Sequence, residues 1–474
     1  MNGKCFWLVL MIAAGARAGG LEELQRDGSF EGPYWWPVIG IHTVQLPNGE
    51  ILHYSYPHRG MGFHSPMSAG SVYNPATQTL FMADCERNVF CGGHSILPDG
   101  NVLVTGGTFT HDPDRGLRDT HLFDPTMHTW TRIESMQHGR FYPTNVTLGD
   151  GRVLVLSGID EDGNVNTQVE IYDPSSGWSL VPWANKKLEL YPRAHLLTSG
   201  LVAVVGPSRD TETFDPASGR WRLVTQMHSP ARFEGCSFLV PLHENRVMMV
   251  GGYGGGKHPS NRTTEVIEFR NVPPPRWERG PSPEFARVFA NAVILADASV
   301  LLVGGQRVLN DQTTAVLPAE IYDPITDSWR TVASLHWPRL YHSSTGLLMD
   351  GRVIIAGGDN VQNVEFYSPP YMYKDRPRIL SAPSTIQYGT RFSLECDRGA
   401  AGRVERVALI RLGGTTHSVA MDQRYVALDF VSAASGALLV SAPVLPNAAP
   451  PGFYMLVIVA ENGAPSVARM INLS

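Results

Sequence analysis

Cysteine is scarce: the 474 residues contain five. An exported protein of this size with so few is not built on disulfides, so each cysteine has its own reason to be there. Charge is also sparse, at 17% of residues, with a formal net charge of -6. No basic stripe runs along the chain, which excludes nucleic acid as a partner. Beyond the first residues no apolar run is long enough to span a bilayer, so no membrane span is expected. No nucleotide-binding glycine fingerprint occurs, which leaves a nicotinamide or flavin without a site. The last hundred or so residues show no helical periodicity. Low-complexity runs are absent as well, although Gly numbers 47 and Pro 35. Scattered in this way, those residues fit many short strands and tight turns.

The N-terminus has the features of a secretory signal over residues 1–18. Lys4 supplies positive charge, Cys5 to Gly15 an apolar core, and Ala16-Arg17-Ala18 a small-x-small cleavage site. The expectation is a secreted, extracellular monomer. Cys5 leaves with the signal; Cys85, Cys91, Cys236 and Cys396 remain.

One unit then recurs. A strand leads to a turn of the Asp-Gly kind, and an apolar strand follows that commonly ends in Gly-Gly. The turn positions are 48, 99, 150, 199, 244, 297 and 350, which differ by 51, 51, 49, 45, 53 and 53. A period near 50 residues is the Kelch spacing. Most units continue with an aromatic-Asp-Pro step, as at Phe123-Asp124-Pro125 and Tyr322-Asp323-Pro324, and then a Trp, as at Trp130 and Trp329. Seven such units predict an all-β fold, a seven-bladed Kelch-type β-propeller over 19–373. The pattern stops after Tyr373. Alternating strands over 374–474 predict an immunoglobulin-like C-terminal β-sandwich.

The repeat allows positions to be compared within the chain. The residues eight before the turn positions are Gly40, Cys91, Tyr142, Tyr191, Cys236, Phe289 and His342. Equivalent positions in equivalent blades ring one mouth of the central channel. Singly, a Tyr or His at a strand start is ordinary structure, and a buried Cys is a small hydrophobe. Together they place Cys91 and Tyr142 on adjacent blades, with Tyr341 and His342 from the last.

With these residues in place the chain resembles the copper-radical oxidases, the galactose oxidase and glyoxal oxidase family. The resemblance covers nearly the whole mature chain and four local motifs: Phe90-Cys91-Gly92-Gly93, Arg140-Phe141-Tyr142-Pro143, Arg339-Leu340-Tyr341-His342-Ser343, and Thr415-Thr416-His417-Ser418-Val419 followed by Asp422-Gln423-Arg424. It implies copper held by Tyr142, Tyr341, His342 and His417, a donor set of imidazole and phenolate that suits that metal. It implies a thioether between Cys91 and Tyr142 as a self-made radical cofactor, with Cys91, Tyr142 and Tyr341 catalytic. Oxidising an alcohol takes two electrons and copper moves one; a Tyr142 radical would store the other. Tyr341 would act as general base. The implied reaction oxidises a small aldehyde or primary alcohol and reduces O2 to H2O2. The alternative is a non-catalytic Kelch propeller that binds a glycan or protein.

The chain departs from galactose oxidase where a Trp covers the cross-linked tyrosine. Asp160 stands there, with Trp36 or Phe289 as substitutes from other loops. The N-terminal sugar-binding domain is absent too. Both departures point to the glyoxal oxidase side. Arg193 and His195, near the same mouth, are candidates for substrate contact. Cys85, six residues before Cys91, could compete for it as a disulfide partner.

Overall fold

The computed structural model describes residues 8–9, 20–57, 65–111, 114–254, 260–270, 272–433 and 436–474. Apart from 8–9, the expected signal lies outside them. Among the described residues no helix is long and apolar enough to cross a membrane.

Each repeat forms an antiparallel sheet whose strands lie in chain order. In the second, Gly93–Ile96, Val102–Thr105, Thr120–Asp124 and Thr129–Ile133 follow one another outward. The Asp-Gly turns work as expected. Gly100, Gly151 and Gly351 are left-handed, at φ 96°, 85° and 98°. The preceding Asp99, Asp150 and Asp350 each accept the amide two residues on, at 3.0, 3.1 and 2.9 Å. A side chain that closes its own turn in this way sets the hairpin register. The outer hairpin is held by cross-strand aromatic pairs: Phe123 opposite Trp130, Tyr172 opposite Trp178, Phe214 opposite Trp221 and Tyr322 opposite Trp329. Such pairs are the unit of sheet stabilisation, and they explain why the aromatic-Asp-Pro step and its Trp recur.

Four sheets carry a second device. A fully buried arginine at the entry to the inner strand pairs with a buried glutamate on the third strand. The pairs are Arg140–Glu170 at 2.8 Å, Arg232–Glu265 at 2.9 Å, Arg287–Glu320 at 2.8 Å and Arg339–Glu365 at 3.1 Å. Each arginine also donates through Nη1 to a carbonyl just past the second strand or at its end, those of Ser157, Gly251, Gly304 and Gly357. One guanidinium therefore ties three strands together beside the channel mouth.

Sequence periodicity alone misses the closure of the ring. Ser29–Trp35, ahead of the first repeat, pairs with Asn363–Ser368 as the outermost strand of the last sheet. The two ends of the propeller sequence thus share one sheet. The C-terminal part is a sandwich of a four-stranded and a five-stranded sheet around a core that includes Leu394, Val407, Val440, Leu456 and Ile471. Between its strands Val404–Arg411 and Arg424–Leu428 a hairpin leaves the sandwich. Gly414–Thr416 pairs with Val419–Met421 and, on its other edge, with the first inner strand His42–Gln45. Thr345 donates its amide to Thr415 Oγ1 at 2.8 Å, and Asp422 accepts from Thr147 N and Oγ1 at 2.9 and 2.7 Å. The sandwich hairpin is thereby fixed to strands of three blades inside the channel.

Candidate metal centre

Six non-glycine residues at the channel mouth share one backbone state. Cys91, Tyr142, Tyr191, Glu234, Phe289 and His342 have φ of 57°, 67°, 44°, 55°, 63° and 64°. Left-handed residues of this kind are costly and are held only where the surroundings over-determine them. Backbone bonds help to hold these. Tyr142 N–H donates to Cys91 O at 2.9 Å, Tyr191 N–H to Tyr142 O at 2.8 Å, and Phe289 N–H to Glu234 O at 3.0 Å. The fifth member of the ring is Glu234, not Cys236 as the spacing predicts. Cys236 begins the inner strand Cys236–Leu239. The link from there to Arg246–Val250 is longer than its counterparts, so counting back from Glu244 lands inside the strand.

In the last repeat the mouth segment is one residue longer. Two residues, Leu340 and Tyr341, separate Arg339 from the ring position, where one separates Arg140 from Tyr142. The extra residue lays Tyr341 on His342, ring centroids 3.9 Å apart and 29° between planes. The Tyr341 and Tyr142 hydroxyls meet at 2.5 Å.

His417 arrives from the sandwich hairpin. It and Ser418 form the two-residue turn with φ 49° and 64°, values that usually call for Asn-Gly. The turn places the His417 ring 4.7 Å from that of His342, 5.0 Å from Tyr142 and 5.3 Å from Tyr341. Two imidazoles and two phenols thus converge at a buried point. All four expected ligands are in this group.

The imidazoles are oriented as metal ligands are. His342 Nδ1 bonds Asp359 Oδ1 at 2.6 Å, while its buried Nε2 has no partner among the described residues. His417 Nδ1 bonds Thr416 Oγ1 at 2.5 Å, which leaves Nε2 facing the Cys91 thiol at 3.3 Å. A carboxylate or hydroxyl on the far ring nitrogen fixes the tautomer and directs the other nitrogen at a metal. Burial pushes the His417 imidazolium well below its usual range, with His342 adding to the effect, so the ring is neutral and able to ligate. Burial raises both phenols, Tyr142 and Tyr341, well above theirs, and Cys91 adds to each. A phenolate here needs a bound cation. These donors fit copper. Loss of the Asp359 contact is expected to weaken metal retention. Asp359→Ala should release copper to a competing chelator about 10–100-fold more readily.

Cys91 is fully buried in a cluster against which Tyr142 packs. Its backbone N–H donates to His42 Nε2 at 3.0 Å. His42, Cys91 and His417 offer ligand atoms within 4.8 Å of one another. His42 Nε2 is taken by that amide, while its buried Nδ1 has no hydrogen-bond partner among the described residues.

The sequence around these residues matches a known family. Residues 39–374 match the family model "Glyoxal oxidase N-terminus", and residues 376–473 match "Galactose oxidase-like, Early set domain". The chain belongs to the glyoxal oxidase family. It is 28% identical to a galactose oxidase of Gibberella zeae, with 93% of this chain and 70% of that protein aligned. It is 27% identical to the aldehyde oxidase GLOX of Vitis pseudoreticulata, over 81% and 82% of the two chains. A solved fungal alcohol oxidase, in complex with copper, shares the fold at TM-score 0.82 and 24% identity, over 94% of this chain and 99% of that one.

Glyoxal oxidase family membership leaves the surroundings of Tyr142 to this chain's own residues. Asp160 does not cover the ring. Its carboxylate accepts the amides of Asp162 and Asn164 at 2.9 and 2.8 Å, closing its own loop. Phe141 and Tyr191 flank Tyr142 edge-on, with centroids at 4.3 and 4.8 Å. Trp36 is buried elsewhere, against His53 and Tyr73, and Phe289 packs on Tyr341 instead, at 4.9 Å. His195 lies down the channel wall, bonded to Ser237 at 2.8 Å. All four remaining cysteines are free, Cys85 included. Asn145, in a glycosylation sequon, is buried on the inner strand Thr144–Thr147.

His42, Asp359 and Glu234 are the residues that sequence reasoning missed. Two had a signal. Asp359 directly follows the Gly-Gly that ends a blade's second strand, at the same mouth. Glu234 follows an arginine by two, as Tyr142 and Phe289 do.

Proposed function

We propose that this protein oxidises primary alcohols or small hydrated aldehydes and reduces O2 to H2O2, outside the cytoplasm and as a monomer. The observation that carries the reading is the convergence of Tyr142, Tyr341, His342 and His417 on one buried point beside the Cys91 thiol. Tyr142, Tyr341, His342 and His417 would hold copper, which supplies one-electron redox chemistry and a Lewis acid when bound.

The roles of the residues follow from their places. Cys91 Sγ would join the Tyr142 ring, the thiol hydrogen and one ring hydrogen going to O2 as H2O2, and the sulfur substituent would lower the cost of taking an electron from the ring. Tyr341 meets the Tyr142 hydroxyl and is the nearest phenol to receive the proton of a substrate hydroxyl. Oxidised Tyr142 takes the hydrogen atom from carbon. Phe141, Phe90 and Tyr191 keep water from the ring edge. The balance is one alcohol and one O2 in, one aldehyde and one H2O2 out. A propeller that only binds has no use for two left-handed histidines and an acid behind one of them.

The test is to load metal-free protein with copper in air and follow intact mass and peroxide release on alcohols and aldehydes. The thioether should lower the mass by about two hydrogens, because the cofactor is made from the chain itself. An unchanged mass, together with no peroxide from any substrate, sinks the reading.

A further inference from the structure

One buried cation at the mouth has unfinished bonding. Arg193 is 3% exposed. Its Nε donates to Gly235 O at 2.9 Å and its Nη1 to Tyr191 O at 2.7 Å. Its Nη2 has no hydrogen-bond partner among the described residues. A buried donor in this state costs stability unless something binds it. The nearest anion is Glu234, whose Oε2 is 3.9 Å from Nη2, too far for a hydrogen bond.

Glu234 is the ring residue between Tyr191 and Phe289, and its side chain is 32% exposed at the mouth. Burial chiefly raises the Tyr341 phenol, and the Glu234 charge adds to it after Cys91. Phe289, the next ring residue, packs on Tyr341. A donor and an acceptor 3.9 Å apart therefore stand next to Phe289, the ring residue that bonds Glu234 O and packs on the phenol expected to take the substrate proton. One group type satisfies both ends. A hydroxyl accepts from Nη2 and donates to Oε2. A substrate carboxylate cannot donate, and Glu234 repels it.

We propose that Arg193 and Glu234 form the substrate-recognition pair, seating a second hydroxyl of a neutral polyhydroxylic alcohol or hydroxyaldehyde and turning away α-carboxylates. This rests on the oxidase reading above and narrows its substrate class.

The test compares glycerol, propan-1-ol and glyoxylate on copper-loaded enzyme, alongside ligand-observed NMR binding of the same three to metal-free protein. The wild type should favour glycerol over propan-1-ol by about tenfold, mainly in KM, the scale of a hydrogen bond to a charged group. Glu234→Leu should bring that ratio close to one. Glu234→Gln, which keeps the shape and removes the charge, should raise glyoxylate relative to glycerol by about tenfold. NMR should show the same order without turnover. Equal use of glycerol and propan-1-ol by the wild type, or a ratio that survives Glu234→Leu, overturns the proposal. If no substrate yields peroxide, the oxidase reading fails and NMR alone decides the pair: selective glycerol binding lost in Glu234→Leu supports it, and indifferent binding overturns it.

Discussion

Replacing Cys91 by serine is expected to leave the protein folded and to cut peroxide production by about a thousandfold or more on every substrate. The thiol is fully buried beside the Tyr142 phenol. Serine is nearly the same size, so the cost is that of burying a hydroxyl whose shorter reach fits the His417 ring nitrogen less well than the thiol, about 1–3 kcal/mol. That is within the margin of a folded domain. Burial also pushes the Cys91 thiol well above its usual range, so it is not a reactive thiolate at neutral pH. Its chemistry depends on an oxidant generated next to it. With oxygen in place of sulfur the cross-link cannot form, and Tyr142 stays an ordinary buried phenol that is hard to oxidise. A thousandfold loss corresponds to about 4 kcal/mol of transition-state stabilisation. The check is turnover together with intact mass. The two-hydrogen deficit should disappear and copper should still bind. Turnover within tenfold of wild type would remove Cys91 from the cofactor.

The largest stability effect is expected at Glu365. Its carboxylate receives Arg339 at 3.1 Å and the His336 amide at 2.7 Å, with both charged side chains of the pair fully buried. Glu365→Leu leaves the guanidinium buried and unpaired, which costs about 3–5 kcal/mol. The double variant Arg339→Met, Glu365→Leu removes both charges and should recover much of that loss. Denaturant midpoints at constant m-value would show both results. Function should separate the two variants further. Arg339 bonds Gly357 and Asn363 as well as Glu365, so it holds the segment carrying Tyr341 and His342. The double variant is expected to regain stability while copper retention stays impaired. A single variant within 1 kcal/mol of wild type would show the pair to be dispensable.

Much of the fold was legible because it repeats. The Asp-Gly turns and the aromatic-Asp-Pro steps each correspond to a local hydrogen bond or a cross-strand pair, so spacing alone located them. The closing strand Ser29–Trp35 was not legible, because it belongs to a blade whose other strands lie more than three hundred residues later. The convergence of Tyr142, Tyr341, His342 and His417 was legible through their motifs. Asp359 and Glu234 were not, since an acid in a loop acquires its role only from what faces it. Asp359 faces an imidazole and Glu234 a buried guanidinium. Residue order marks their places, after Gly357-Gly358 and two past Arg232, but not the partners they face. Cys236 was misplaced for a simpler reason: a repeat with a longer turn shifts the register.

The sandwich hairpin that pairs with His42–Gln45 has a consequence for timing. Thr43 meets Thr415 across that edge, so the first repeat and the second domain complete one sheet between them. The ribosome delivers His417 long after every blade has been made. Until it arrives only one of the two imidazoles expected to hold copper is present, and the thiol faces no ring nitrogen from the sandwich. A half-synthesised chain therefore lacks one of the four donors proposed to hold copper beside Cys91 and Tyr142. Assembly of the full donor set would then await the docking of the sandwich hairpin against His42–Gln45.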